Sequence, residues 1–211
     1  MADDDVPLPP ATERLGNFLP VSRGVIRGAL LKQSDAGHRG GTPARLGDLL
    51  IEAGAITREE LEVAVRKQRV ARLRLCPLFS VLGPTELSAI SAKFREVSIP
   101  AGQVFIVQEE EDPKLYVVAA GELEVFRTLS DGREIHIAKV GPGEPIGEMG
   151  YFQGGKRTAS VRALLPSELL CAEYDELTHY FEHVPRVAHA FIEVVERRRQ
   201  ELASRVEQAS A

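Results

Sequence analysis

GYFQGGKRT, residues 150–158, is the part of this 211-residue chain whose residue types and spacing come nearest to phosphate chemistry. Gly150, Gly155 and Lys156 fit the Gly-x-x-x-x-Gly-Lys frame of a triphosphate-binding loop. Such a loop next needs a Ser or Thr to hold magnesium, with a helix opening directly behind it. Arg157 stands in the hydroxyl position, and the residues that follow, TASVRALL, are β-branched and alternating. The triphosphate reading fails on both counts. What remains is a glycine-rich turn ending on a guanidinium, whose forked donors suit a phosphate better than a lysine ammonium does.

Other chemically capable groups are sparser. His179 and His183 stand four apart with helical spacing, but no third ligand accompanies them, so no metal is expected. Cys76 and Cys171 lie in apolar stretches without CxxC spacing and read as reduced core residues. The run Arg66, Lys67, Arg69, Arg72, Arg74 and the run Arg197-Arg198-Arg199 read as solvated helix faces. The first has no aromatic side chains on which bases could stack. No activated nucleophile, metal cage or informative carboxylate pair is visible, so the expectation is a protein that is not an enzyme.

The elements that must position these groups follow from composition and periodicity. With 44% apolar residues the chain can pack a core, and its length allows one ordinary domain plus a smaller one. A formal charge of −5 and a pI near 5.6 set it against a general nucleic-acid or anionic-membrane surface. The opening MADDDVPLPP lacks the basic region and apolar core of a secretory signal. No apolar run reaches membrane-spanning length, so a cytoplasmic protein is expected, with residues 1–10 disordered. No helix-turn-helix reader is expected beyond the last helix, and neither nucleic acid nor membrane is expected as a partner.

From Val97 the chain reads as short alternating strands, with Leu123 and Val125, then Ile135 and Ile137, joined through Asp131-Gly132, a hairpin signal. Nine of the 18 glycines fall between Gly102 and Gly155, where tight corners need positive φ. Helical spacing returns at YDELTHYFEH, and beyond Pro185 it places Val187, Phe191, Val195, Leu202 and Val206 on one face that could also join two copies. The expected fold is α+β: an antiparallel, jelly-roll-like β-roll flanked by helices over residues 75–211, with a small helical module at 11–74. That module carries two related segments, RLGNFLPVSRGVIRGALLKQ (14–33) and RLGDLLIEAGAITREELEVAVRKQ (45–68), an imperfect tandem repeat. The connector SDAGHRGGTPA (34–44) separates them. Thr57 and Glu60 form a capping box opening a helix from about Arg58 to Leu75.

Read from Pro142, the glycine-rich turn belongs to PGEPIGEMGYFQGGKRTASVRA. Gly147-Glu148, the short turn after it, and Arg157-Thr158-Ala159 leading into a strand resemble the phosphate-binding cassette of the cyclic-nucleotide-binding domain. This is the β-roll module of cAMP- and cGMP-dependent kinases, bacterial catabolite regulators and cyclic-nucleotide-gated channels. PLFSVLGPTEL, IPAGQ, LYVVAAGELEVF and VGPGE occur in the family's order, so the resemblance covers roughly residues 75 to 209. It implies a ligand site of Ile146, Gly147, Glu148, Met149, Gly150, Arg157, Thr158 and Ala159. Arg157 and the amides opening a short helix would hold the cyclic phosphate, Glu148 would accept the ribose 2′-hydroxyl, and Gly147 would admit the backbone without a Cβ collision. Thr158 could reach the exocyclic amine of guanine, so cGMP stands close behind cAMP. The last helix is implied as a lid, with Arg197, Arg198 or Glu201 against the ligand. The competing role for Arg157 is a structural pairing with Glu148. One departure from the family's pattern is Glu109, which replaces an expected Gly after Val107-Gln108.

The second N-terminal copy, with Arg45, Leu46, Gly47, Gly54, Leu61 and Gln68, resembles the N-terminal domain of type II secretion and type IV pilus assembly ATPases. The first copy keeps Arg14, Leu15, Gly16 and Gln33. Some domains of that family bind cyclic di-GMP through such tandem motifs, which would assign Arg14, Leu15, Gly16, Arg45, Leu46 and Gly47 to that ligand; a helical docking module without ligand is the other reading. The function expected is a bacterial regulator that binds a cyclic mononucleotide and no other cofactor, and signals through its C-terminal helix and N-terminal module to a protein partner. A cyclic di-GMP receptor and a nucleotide-free scaffold are the alternatives.

Overall fold

The computed structural model describes residues 14–38 and 45–210. The N-terminal stretch expected to be disordered and the second half of the connector lie outside them. The chain divides into two compact units, Pro10–Arg69 and, from Val70 to Ala211, a larger one.

In the smaller unit a 3-10 turn, Leu15–Asn17, precedes helix α1 (Arg23–His38), followed by α2 (Leu46–Glu52) and α3 (Arg58–Leu75), whose residues from Val70 onward count with the larger unit. The expected connector starts late, because α1 carries the helix through Ser34 to His38. α3 opens on the capping box: the Thr57 amide donates to Glu60 Oε2 (2.8 Å) and the Glu60 amide to Thr57 Oγ1 (3.1 Å). The tandem repeat is visible in the packing. A Cβ on Gly16 would come within 3.2 Å of Ile26, and one on Gly47 within 2.7 Å of Leu61. Ile26 and Leu61 each lie seven residues before the closing Gln of their copy. The glycine of each Arg-Leu-Gly therefore lets its leading turn close on its long helix. Leu19 and Ala29 of the first copy and Leu50, Ile56 and Ala64 of the second share one core. The shortening of the first copy falls on its leading element, where a 3-10 turn replaces α2.

The larger unit opens with α4 (Pro84–Ser91), capped where the Gly83 amide donates to Glu86 Oε2 at 2.9 Å. The strands are β1 (Arg95–Ile99), β2 (Val104–Ile106), β3 (Lys114–Ala120), β4 (Leu123–Thr128), β5 (Glu134–Val140), β6 (Pro145–Ile146), β7 (Ser160–Ala163) and β8 (Ser167–Glu173). They form two antiparallel four-stranded sheets in the orders β1-β8-β3-β6 and β2-β7-β4-β5. The Asp131-Gly132 hairpin is present: β4 pairs with β5, and Gly132 takes φ 85°.

β3 reads Lys-Leu-Tyr-Val-Val-Ala-Ala with little alternation because both its faces are covered. Tyr116 and Val118 join Ile106, Leu123, Val140, Ile146, Val161 and Leu169 inside the roll. Leu115, Val117 and Ala119 turn outward onto Phe79, Leu87, Leu177, Val187 and Phe191 of the flanking helical segments. Cys76 and Cys171 are buried free thiols in these two cores, and burial pushes Cys76 up to about 12. α5 (Tyr174–His183) and α6 (Pro185–Ser210) close the fold. Val187, Phe191 and Val194 are buried along α6. Val195, Leu202 and Val206, expected on that face, are half-buried, and Val194 was missed.

Glu109 is the non-glycine position with positive φ (68°) among the described residues, at the corner where the family resemblance leads one to expect Gly. The left-handed turn is kept. It aims the Glu109 amide at the Arg157 carbonyl (2.8 Å), and the Glu109 carboxylate meets Lys156 Nζ at 2.8 Å.

Candidate functional site

β6 is followed by Gly147, whose φ of 90° only glycine adopts without strain. A Cβ there would sit 2.1 Å from Arg157 Nη1 and 2.7 Å from the Lys114 carbonyl oxygen. The chain then turns through a 3-10 helix, Glu148–Gln153, which ends at the left-handed glycines Gly154 and Gly155 and delivers Arg157 to the start of β7. Gly154-Gly155-Lys156 is thus a turn, and the groups of chemical interest flank it.

A cleft enclosing about 570 Å³ of empty space, open mouth included, lies between this turn, the roll interior and α6. Ile146, Gly147, Glu148, Met149, Gly150, Arg157, Thr158 and Ala159 all line it. So do Ile106, Val125, Ile137, Val140 and Val161 from the strands, and Leu202 from α6, none of them singled out as site residues by sequence. Of the strand residues, the sequence pattern singles out Val125 and Ile137, and only for their alternation. Of the three lid candidates Arg198 and Glu201 reach the cleft. Arg197, one position round the helix, does not line it: its side chain is exposed and lies 3.9 Å from Glu201.

Arg157 is 2% exposed. Its Nη2 donates to Asp112 Oδ2 (2.8 Å) and to the Lys114 carbonyl (2.7 Å), and its Nη1 to the Gly147 carbonyl (3.2 Å) and the Tyr174 hydroxyl (3.2 Å). Its Nε–H is buried without an acceptor. Two expectations change. The structural partner of Arg157 is Asp112 rather than Glu148. And both ends of the fork are engaged by the protein, so the spare donor is Nε–H. Burial alone would raise the Asp112 carboxyl, but its hydrogen bonds from Arg157 and Lys114 outweigh that and hold it below the usual range. The Tyr174 hydroxyl donates in a short hydrogen bond to the Gly147 carbonyl. Burial pushes that phenol up to about 12, so it stays protonated through the physiological range.

Glu148 is 5% exposed, and its burial raises the carboxyl above the usual glutamate range. Arg198 Nε lies 4.0 Å from it, while the Arg198 Nη groups hold Glu144 and Glu201, each at 3.0 Å. The Thr158 hydroxyl has the Met149 sulfur at 3.7 Å, a weak acceptor.

Elsewhere, the rings of His179 and His183 lie 5.7 Å apart, and among the described residues no group of three His, Cys, Asp or Glu could hold a metal. Arg14 and Arg45 are exposed at the caps of the leading turns of their copies, while Leu15, Gly16, Leu46 and Gly47 are engaged in packing. Among the described residues no helix is long and apolar enough to cross a membrane.

Comparison with known proteins agrees with this fold. The chain is 34% identical over 125 residues, 59% of its length, to the cyclic AMP receptor protein of Thermus thermophilus. It spans 58% of that protein's length. Among solved structures, the catabolite activator protein of Thermus thermophilus superposes with a TM-score of 0.56 at 33% identity, over 64% of this chain and 63% of that one. The regulatory domain of Toxoplasma gondii PKA, crystallised with cAMP, superposes with a TM-score of 0.51 at 27% identity, over 55% of this chain and 44% of that one. The family model described as the cyclic nucleotide-binding domain matches residues 96–183.

Proposed function

We propose that the β-roll binds a cyclic mononucleotide, cyclic AMP first, as the input of a bacterial regulator that is not itself an enzyme. The observation that carries this reading is the Nε–H of Arg157, a buried cationic donor without an acceptor, at the wall of a cleft that also holds the buried Glu148 carboxylate. A buried donor left unpaired costs roughly 1–3 kcal/mol. A cyclic phosphodiester supplies the missing acceptor together with a single negative charge. The ribose 2′-hydroxyl donates to Glu148, the strand side chains give the base an apolar wall, and Arg198, Glu201 and Leu202 cover it. The relatives named for cyclic AMP support the same ligand class.

Cyclic GMP is the second reading, and Thr158 favours it: the residue lines the cleft and its hydroxyl is met by the Met149 sulfur, a weak acceptor. Binding acts on output by favouring one position of α6 over another, since a ligand shifts an equilibrium only by its differential affinity. The N-terminal unit hands that change to a protein partner; the α6 stripe expected to be able to join two copies has Val187 and Phe191 buried in the core of its own chain.

A thermal-shift panel with cyclic AMP, cyclic GMP and cyclic di-GMP on the wild type, Arg157→Ala and Arg45→Ala tests this. Ligand at a hundred times its Kd stabilises by about 2.7 kcal/mol, several degrees for a chain this long. The expected result is a shift with cyclic AMP that Arg157→Ala abolishes. No shift with either mononucleotide overturns the reading. A shift with cyclic di-GMP that survives Arg157→Ala but not Arg45→Ala moves the ligand to the N-terminal unit.

A further inference from the structure

Tyr174 is the first residue of α5, and its hydroxyl lies beneath the turn that follows β6. It donates to the Gly147 carbonyl and so can accept only with its lone pairs, one of which takes Arg157 Nη1–H at 3.2 Å. The two glycines of the turn frame this pair. A Cβ on Gly147 would collide with Arg157 Nη1 at 2.1 Å, and a Cβ on Gly150 would press on the Tyr174 hydroxyl at 2.9 Å. The ring is held from the side by Tyr151, centroids 5.4 Å apart.

We propose that Tyr174 is a positioning residue for the ligand phosphate: with Asp112 and the carbonyls of Gly147 and Lys114, it fixes the guanidinium of Arg157 so that Nε–H is the donor left for the ligand. This rests on the cyclic-nucleotide reading of the cleft. A guanidinium has five N–H groups in one plane. Four are consumed by protein acceptors, which sets both the rotation of the plane and the identity of the spare hydrogen. Asp112 and Lys114 fix the Nη2 end; without the Tyr174 hydroxyl, the Nη1 end keeps only the Gly147 carbonyl. The plane can then turn and offer Nη1–H as well. Tyr174 therefore governs which of the two free phosphate oxygens is read, while the ribose end, held by Glu148, is left alone. Its phenol remains neutral well above physiological pH, so the arrangement does not titrate in the working range.

The test is Tyr174→Phe, which keeps the ring and deletes the hydroxyl, measured by calorimetric titration with cyclic AMP, its two phosphorothioate diastereomers and 2′-deoxy cyclic AMP. Removing an acceptor of a buried charged donor should weaken cyclic AMP about tenfold. It should also change the affinity ratio of the diastereomers, and leave the 2′-deoxy penalty as in the wild type. A role confined to packing would move all ligands together. In an Arg157→Lys background, where no planar fork exists to be aimed, Tyr174→Phe should change affinity less than about twofold. Gly150→Ala, which crowds the hydroxyl from the opposite side, should reproduce the altered ratio and serves if Tyr174→Phe does not fold. An unchanged ratio in the variant that folds, or an equal loss in the Arg157→Lys background, overturns the role of Tyr174 while leaving the ligand assignment standing. Absence of binding to the wild type overturns both.

Discussion

Glu148→Gln separates what the buried carboxylate costs the empty protein from what it contributes to ligand. Glu148 is 5% exposed, burial raises its carboxyl, and the cation within ion-pair reach, Arg198, stands 4.0 Å away. A carboxyl raised in the folded state binds its proton more tightly there than in the unfolded chain, where it titrates near about 4.3. Its contribution to stability is therefore complete below that value and is lost as pH climbs through the raised folded value. Each pH unit between the two is worth about 1.4 kcal/mol, or about 3–6 °C in Tm for a chain of this length. Glutamine keeps the shape and removes the charge. Tm measured from pH 4 to pH 8 should give coincident values at the acid end and an increasingly stabilised variant toward pH 8.

Ligand binding should move the other way. A hydrogen bond to a charged acceptor contributes about 1.5–3 kcal/mol, so the variant should bind cyclic AMP roughly ten- to a hundredfold more weakly. The loss should be confined to the ribose: 2′-deoxy cyclic AMP, already poor on the wild type, should bind the two proteins alike. A variant destabilised equally at every pH refutes the desolvation argument. An undiminished 2′-deoxy penalty in the variant refutes the placement of the ribose.

Two other perturbations test the frame around the site. Glu109→Gly removes a side chain from a left-handed position (φ 68°) at the loss of an exposed contact with Lys156, and should raise Tm by about 2–4 °C in a thermal melt; a fall shows that the Lys156 pair outweighs the strain. In the N-terminal unit Gly47→Ala drives a Cβ to 2.7 Å from Leu61, so amide exchange in residues 46–68 should quicken, and Leu61→Ala on the same chain should restore part of the protection; no restoration contradicts the packing role of the Arg-Leu-Gly glycine.

The roll was legible because its signals are local. Asp131-Gly132 specifies a hairpin, and strand alternation marks an inside wherever one face is wet. The signal fails where both faces are dry, as in β3, and helical spacing alone did not separate Val194 from Val195 on α6. Gly147, Glu148 and Arg157 could be named because a motif fixes residue types at fixed spacing. Asp112 and Tyr174 could not: they lie 45 and 17 residues from Arg157, and nothing local in the sequence announces a carboxylate and a phenol that the fold folds back onto it.

This difference bears on how much of a site a motif determines. Arginine in the sequence announces a fork, and a fork suggests a phosphate held by two parallel donors. In the folded chain that fork is already occupied, by a carboxylate, a phenol and two main-chain carbonyls, two of those four acceptors being backbone atoms that carry no sequence signature at all. The identity of the residue gives the charge at the site; the acceptors around it decide which hydrogen is spare. Charge favours any phosphate, whereas a single spare Nε–H in a cleft also lined by the buried acid Glu148 favours a singly charged phosphodiester over a dianionic monophosphate, because each added negative charge must be met by an Arg157 that Asp112 already offsets. On the proposed reading, a preference for a cyclic over an open nucleotide monophosphate would rest as much on Asp112 as on the glycine-rich turn, and it should narrow when Asp112→Asn is compared with the wild type in competition binding. An unchanged ratio of the two affinities would place the discrimination in the shape of the cleft instead.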